Sequence, residues 1–335
     1  MNGPARGAAG GWRGPLLLAA KMAISLGLIS FLFTRIPLDE LRATLRGADL
    51  RWIVAAGLLL FVSNVIGTWQ WNGLLQGAGI RIPFWKVLSY YHVGLFFNNF
   101  LPANVGGDLV RVLDASRYGC SRATAFSTVL MDRLIGTVAL AGLALVTTLP
   151  AVDRLHLSVA YLAVVAFFGA SVGMAWAVFH PAVLPALERL LARVGLGGFK
   201  PALDDLAARL QGFRDQRGLF LRLLAVALVV QISRIFVHVL VARGLGIGVE
   251  LIYFFLLVPL LAVAVSLPIS LNGIGVREGA GIVLFGLVGV GRAAAFGLQF
   301  TTYLVAVAVS LLGGLVFLVR LPGRRALERQ NRREP

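Results

Sequence analysis

The sequence has 335 residues, length enough for two soluble domains, but 58% of them are apolar and only 14% are charged, against roughly 25% charged in soluble domains. Mean hydropathy is +0.84 and the apolar residues arrive in long runs, which excludes a soluble enzyme, a secreted disulfide scaffold and a disordered tail as whole-chain readings. Net charge is +16, from 31 Lys+Arg against 15 Asp+Glu; the arginines gather in loops and tails, as the positive-inside rule and anionic headgroups select, so no nucleic-acid partner is expected.

The expected fold class is all-α, a polytopic integral membrane helical bundle of about eight spanning helices, since a span needs about 20 apolar residues. Apolar runs fall near 15–34, 52–75, 84–101, 123–149, 157–179, 219–242, 251–271, 276–291 and 293–319. The run 84–101 and the block 251–291, broken by Pro268, Asn272, Gly273 and Gly275, either cross or re-enter the membrane. Residues 1–14 form a basic N-terminus, and the run from Pro15 reads as a first spanning helix rather than a signal peptide, whose apolar core is shorter. The chain then divides into a first helical half (15–180), an amphipathic connector (181–218), a second half (219–320) and a basic tail (321–335).

Arginine placement orients these elements. The connector carries Arg189, Arg193, Arg209, Arg214 and Arg217, and the tail begins with Arg320, Arg324 and Arg325. Both are expected on the cytoplasmic side of the plasma (inner) membrane. Arg35, Arg42, Arg46 and Arg51, in the first loop, run against that orientation. The pairs Gly73–Gly77, Gly169–Gly173 and Gly275–Gly279 have the small-xxx-small spacing of close helix packing.

Polar residues inside apolar runs are expensive, which makes them informative. Asn98, Asn99, Leu101-Pro102, Asn104, Gly106-Gly107, Asp108 and Arg111 interrupt the first half; Leu267-Pro268, Ser270, Asn272, Gly273, Gly275, Arg277 and Glu278 interrupt the second. Both breaks have Leu-Pro, a small polar residue two positions after the proline, glycines, an acid and an arginine. Pro102 and Pro268 remove a backbone donor and disfavour helix before them, and Gly106, Gly107, Gly273 and Gly275 let the backbone turn or approach closely. A new helix is expected after each break, with Asp108 or Glu278 in its first turn, where the helix dipole favours an acid. Matching breaks in two halves suggest a pseudo-repeat and a site at its interface, although an ordinary loop between spans gives a similar pattern. Asp132-Arg133 lies inside the run 123–149, with Arg111 and Arg277 as candidate partners for Asp132 and Asp108. Gln231, Arg234 and His238 form a polar stripe, more in keeping with a helix face than with a metal site. Cys120 is the single cysteine, so no internal disulfide is expected, and no metal or other cofactor is implied. A Walker A lysine motif, a His-Glu-x-x-His and a serine elbow are all missing from the sequence.

With these residues in view, the chain resembles the transmembrane domain of lysylphosphatidylglycerol synthases, the flippase-like domain family. The resemblance rests on Asn99-Phe100-Leu101-Pro102, Gly106-Gly107-Asp108, Arg111, Asp132-Arg133, Leu267-Pro268 and Gly273 through Gly279, and covers about residues 15–320. It implies an all-helical membrane domain that binds lipids and flips them between leaflets. The synthases add a soluble domain that makes the aminoacyl lipid; the sequence to Pro335 carries no segment of that kind, so lysyl transfer is not expected. In this reading Asn98, Asn99, Asn104, Asp108, Arg111, Asp132, Arg133, Arg234, Asn272, Arg277 and Glu278 handle the headgroup of an anionic or aminoacylated phospholipid. The alternatives are a membrane enzyme that uses Asp108, Asp132 or Glu278 as a base, and a non-catalytic partner of a lipid or glycan synthesis system. Association with a second copy or with a lipid-synthesis protein is compatible with the glycine pairs and the basic tail.

Overall fold

The computed structural model describes residues 30, 38–100, 106–151, 158–180, 212–213, 216–266 and 273–331. Among them the chain forms helices and no strand: α1 Leu38–Arg46, α2 Leu50–Gly77, α3 Phe84–Phe100, α4 Gly106–Ser116, α5 Arg122–Thr148, α6 Ser158–Phe179, α7 Arg217–Gly244, α8 Leu251–Ser266, α9 Val276–Gly286 and α10 Arg292–Asn331. The first expected span, most of the connector, Pro102, Asn104, Pro268 and Asn272 lie outside the described residues.

Helix ends follow local chemistry. The Asp49 carboxylate accepts from the Arg51 N–H at the start of α2, and the Ser121 hydroxyl accepts from the Thr124 N–H at the start of α5; such caps satisfy amides that have no partner within the helix. The spans Leu50–Gly77, Arg122–Thr148, Gly218–Gly244 and Arg292–Arg320 are long and apolar enough to cross a membrane, and α6 and α8 contain shorter apolar stretches. Leu58 and Val62 on α2, Leu162 and Val172 on α6, and Leu315 and Val319 on α10 point outward. Outward apolar faces on several long helices suit lipid, not water. The expected helical membrane bundle is what the chain forms.

The two doubtful regions are helical hairpins. In the first, α3 and α4 run antiparallel: Lys86 sits over the Tyr118 ring, Arg111 over Tyr91, and the Gly107 N–H donates to Asn98 Oδ1 at 2.9 Å. A Cβ on Gly107 would overlap the Gly94 carbonyl and Asn98, so glycine permits this close approach. In the second, α8 and α9 run antiparallel, with Phe254 against Phe285 near the open end and Gly273 against Val265 near the tip. α4 and α9 have 11 residues each, about 16 Å of helix against a hydrocarbon core of about 30 Å, so each hairpin returns to the side it entered from without crossing.

α2 and α7 are antiparallel as well. Gly77 abuts Leu219 and Gln216, while Gly244 abuts Trp52 and Ile53. The α3–α4 hairpin therefore enters from the side where α2 ends, and the α8–α9 hairpin from the side where α7 ends, opposite to it.

These elements repeat. α2 and α7 both have 28 residues (50 to 217, an offset of 167), α3 has 17 and α8 16, and α4 and α9 both have 11. Positive-φ glycines close equivalent turns at Gly79 and Gly246, and at Gly119 and Gly289. The packing partners exchange in the same way: α3 lies on α10 and α8 on α5, while α5 lies on α7 and α10 on α2. The chain is an inverted pseudo-repeat of span, re-entrant hairpin and span, with α6 between the copies.

Of the three glycine pairs, Gly73–Gly77 is a helix contact, against Leu223 and Leu219. An added Cβ at Gly169, Gly173 or Gly279 would meet no described residue nearby, so among the described residues the spacing carries no packing there. α1, which the apolar runs do not mark, buries Leu41 against Ala293 and Phe296 of α10 and leaves Arg42 and Arg46 exposed. Part of the discordant first-loop charge is thus the outer face of a surface helix.

Candidate functional site

The two hairpin tips meet a cavity of about 570 Å³ inside the bundle. Asn98 and Asn99 reach it from α3, Ser266 from α8 and Arg277 from α9. Arg133 and Thr137 come from α5, Gln231, Arg234 and His238 from α7, and Thr302, Tyr303 and Ser310 from α10. Leu60, Leu140 and Val258 supply part of the apolar wall. A cavity of this size, with polar groups converging on it from several helices beside an apolar wall, has the dimensions of a small-molecule or headgroup site.

Behind one wall lies a balanced set of four charges. Arg111 Nη2 donates to Asp132 Oδ2 at 2.7 Å and Arg133 Nε to Asp108 Oδ2 at 2.7 Å, and Arg111 also reaches Asp108 at 3.5 Å. Gln70 Nε2 donates to the other oxygen of Asp132. Side-chain exposure falls from 47% at Arg133 to 17% at Asp108, 10% at Asp132 and 7% at Arg111. The Arg111 guanidinium is clamped between the Trp71 and Tyr91 rings, 4.2 and 4.8 Å from their centroids. Arg111 is therefore a fixed tie between the first hairpin, α2 and α5, and the faces of two rings attract the guanidinium where little water reaches it.

Glu278 is buried at the start of α9, where its Oε2 accepts from the Gly275 N–H at 2.7 Å. Gly275 has φ +84°, a conformation that favours glycine. This carboxylate closes the helix N-terminus at the second hairpin tip. Asp108 occupies the same place in α4, and its carboxylate turns to Arg133 and Arg111.

Of the residues read from the sequence as headgroup ligands, Asn98, Asn99, Arg133, Arg234 and Arg277 line the cavity. Asp108, Arg111, Asp132 and Glu278 stand behind it in the contacts just described. Asp132 pairs with Arg111 as expected; Asp108 pairs with Arg133 and Arg111, and Arg277 instead covers the Tyr303 ring at 4.8 Å. Asn64, Thr137, Thr302, Tyr303 and Ser310 also line the cavity and are not marked by the sequence. Asn99 Nδ2 donates to Ser310 Oγ at 2.6 Å, and Gln231 Nε2 to the Gly136 carbonyl at 3.0 Å. These bonds tie the first hairpin to α10 and α7 to α5.

The family model for the lysylphosphatidylglycerol synthase TM region matches residues 18–314. The chain belongs to this family. It is also similar to a UPF0104 membrane protein of Pyrococcus horikoshii, 27% identical over 295 residues that cover 81% of this chain and 88% of the relative. The matched region contains both hairpins, the four-charge set and the cavity. This member of the family is a multi-pass membrane protein.

Proposed function

We propose that this protein is a lipid translocator that binds a lipid headgroup in the cavity between the two re-entrant hairpins and carries it between leaflets. The inverted repeat is the observation that carries the reading. Two hairpins of similar length enter from opposite sides and present their tips to one polar cavity, the arrangement expected of a site that opens alternately to either face. The headgroup is held by Asn98, Asn99, Arg133, Arg234 and Arg277, and the acyl chains remain in lipid. The four-charge set holds the first hairpin on α2 and α5 while the site changes access. Membership of the synthase TM-region family supports a role with membrane lipids.

In this reading the face where α2 ends and α7 begins is cytoplasmic. The arginine-rich connector joins the start of α7 there, and Arg320, at the far end of the apolar span of α10, contacts Asp114 and Tyr90 of the first hairpin on the same face. The positive-inside rule favours that side, in the plasma membrane.

The test is reconstitution. The purified chain is placed in liposomes with headgroup-labelled phospholipids, and accessibility of the label from outside is followed against empty liposomes and an Arg277→Ala variant. Faster exchange that the variant loses while still inserting supports the reading. A panel of anionic, zwitterionic and aminoacylated lipids, none exchanged faster than in empty liposomes, overturns it.

A further inference from the structure

We infer that the seam between the first hairpin and α10 is the cytoplasmic gate of the cavity, and that Arg320 is its latch, gripping Asp114 and the Tyr90 ring. The inference rests on the translocator reading and names the part that moves to change access.

The seam runs the length of the hairpin. At the cavity end Asn99 Nδ2 donates to Ser310 Oγ at 2.6 Å. Further along, the His92 backbone carbonyl lies so close to Gly313 that a Cβ there would overlap it, and the Phe96 ring crowds Gly314. The Phe97 and Phe317 rings meet edge to face, 5.0 Å between centroids. At the base, Arg320 Nη1 stands 3.6 Å from Asp114 Oδ2, and its guanidinium covers the Tyr90 ring at 4.6 Å. Ser310, Gly313, Phe317 and Arg320 recur at spacings of three and four, so they share one face of α10. Arg320 therefore holds both arms of the hairpin, α3 through Tyr90 and α4 through Asp114, at the end of the seam farthest from the cavity.

The pseudo-twofold mate of this seam, between the second hairpin and α5, is built differently. Asp114 and Tyr90 are matched by Leu284 and Leu257, and Arg320 by Pro150. Leu257 and Leu284 share one apolar cluster with Leu143 and Ala144, which match the glycine pair. Ser266, the mate of Asn99, donates its hydroxyl to the Ala262 carbonyl of its own helix. Opening either seam lets water in. Wetting the apolar seam has a cost that grows with the hydrocarbon area exposed. Parting the first seam frees a carboxylate, a guanidinium and an amide, all of which water satisfies. An ion pair that solvent partly reaches is weak enough to break and remake in each cycle, and Arg320 is 23% exposed. The cavity thus closes by a releasable polar latch on one face and by apolar packing on the other.

Two measurements test the gate. In a Cys120→Ser background, Thr137→Cys places a thiol in the cavity. Its reaction with an impermeant sulfonate-bearing thiosulfonate is timed in inverted vesicles, which present the cytoplasmic face, and in right-side-out vesicles. Arg320→Gln and Asp114→Asn should each speed the reaction from the cytoplasmic face by roughly five- to tenfold, the scale of a lost ion pair and cation–π contact. The rate from the other face should not rise. Arg320→Lys keeps a charge beside Asp114 and should restore most of the closure. Equal acceleration from both faces is loosened packing and overturns the assignment, as does no acceleration from either.

The second measurement holds the seam shut. Phe97→Cys and Phe317→Cys are bridged by a short bifunctional thiosulfonate in the reconstituted protein and released by reductant. Bridging should slow lipid exchange roughly tenfold or more, as expected when a gating motion is blocked, and reductant should restore it. This arm carries the test if Arg320→Gln fails to fold. Exchange at full rate across a bridged seam overturns the gate and leaves the translocator reading in place. If the unmodified chain exchanges no lipid, that reading fails, and cytoplasmic labelling that depends on Arg320 still upholds the gate.

Discussion

The backbone N–H of Asp49 donates to the carbonyl of Gly244 at 2.7 Å. The pseudo-twofold mate of this contact is the Gln216 side chain, whose Nε2 donates to the carbonyl of Gly77 at 3.0 Å (49 to 216 and 77 to 244, the same offset of 167). One repeat makes the link with a main-chain amide and the other with a side-chain amide. The two bonds fasten opposite ends of the α2–α7 pair, the central contact between the repeats. They also fix the spacing at which the hairpins meet, because each hairpin follows directly from the end of one of these helices.

Close approach along that pair depends on glycine. A Cβ at Gly77 would meet Leu219 and Gln216, and one at Gly244 would meet Ile53 and Trp52. Gly77→Ala and Gly244→Ala are each expected to destabilise the protein by about 1–3 kcal/mol through overpacking, reduced by the better helix propensity of alanine. Gly169→Ala, where no described residue lies nearby, should be neutral or slightly stabilising. Thermal unfolding of the three variants in one detergent checks this. Equal melting temperatures would mean that the helices are not held at this distance.

The clamp on Arg111 makes a second prediction. Arg111→Gln leaves Asp132 with only Gln70 among its described partners, an uncompensated charge in a buried place. The expected loss is about 3–5 kcal/mol, the usual result of removing one partner of a buried pair. Arg111→Gln with Asp132→Asn removes both charges and should be more stable than Arg111→Gln alone. A double-mutant cycle by thermal unfolding measures the coupling. Strict additivity would show that the ion pair contributes little.

Much of this site is legible in the sequence, for a physical reason. Asn98, Arg133, Arg234 and Arg277 stand out because a charge or amide in an apolar run must have a use. Thr137, Thr302 and Ser310 do not stand out. Each bonds a carbonyl of its own helix, at Arg133, Leu298 and Val307, which is what such residues do on any face of a membrane helix. The Leu-Pro breaks fall, in the sequence, between the two helices of each hairpin. They do not tell re-entry from crossing, which depends on how long the returning helices are, and α4 and α9 stop at 11 residues. The repeat is nearly invisible because element lengths recur while residues do not. Trp71 and His238 occupy equivalent positions, as do Arg111 and Gly281. One copy holds the four-charge set, and the other brings Arg234 and Arg277 to the cavity.

Glu278 separates a positioning role from a binding one. Its carboxylate is buried against the Gly275 amide and is not part of the cavity lining. Glu278→Gln keeps an acceptor at that distance, so the variant should fold and retain headgroup-dependent lipid exchange within a few-fold. Glu278→Ala leaves the amide unpaired and should lose about 1.5–3 kcal/mol of stability, the scale of a hydrogen bond to a charged group. Loss of exchange in Glu278→Gln at unchanged stability would instead put this carboxylate in contact with the lipid.

The inverted arrangement predicts opposite labelling of the two hairpin bases. Cys120 is the single cysteine and lies near the base of the first hairpin, so a Cys120→Ser background removes it. Arg117→Cys is then placed at the exposed base of the first hairpin and Arg292→Cys at the exposed base of the second. In sealed right-side-out vesicles an impermeant maleimide should label the Arg292 position at once and the Arg117 position only after permeabilisation. The reverse order keeps the inverted repeat and turns the protein over in the membrane. Labelling of both positions from one side cannot be reconciled with antiparallel α2 and α7, since Gly77 beside Leu219 and Gly244 beside Ile53 place the two bases at opposite ends of the same helix pair.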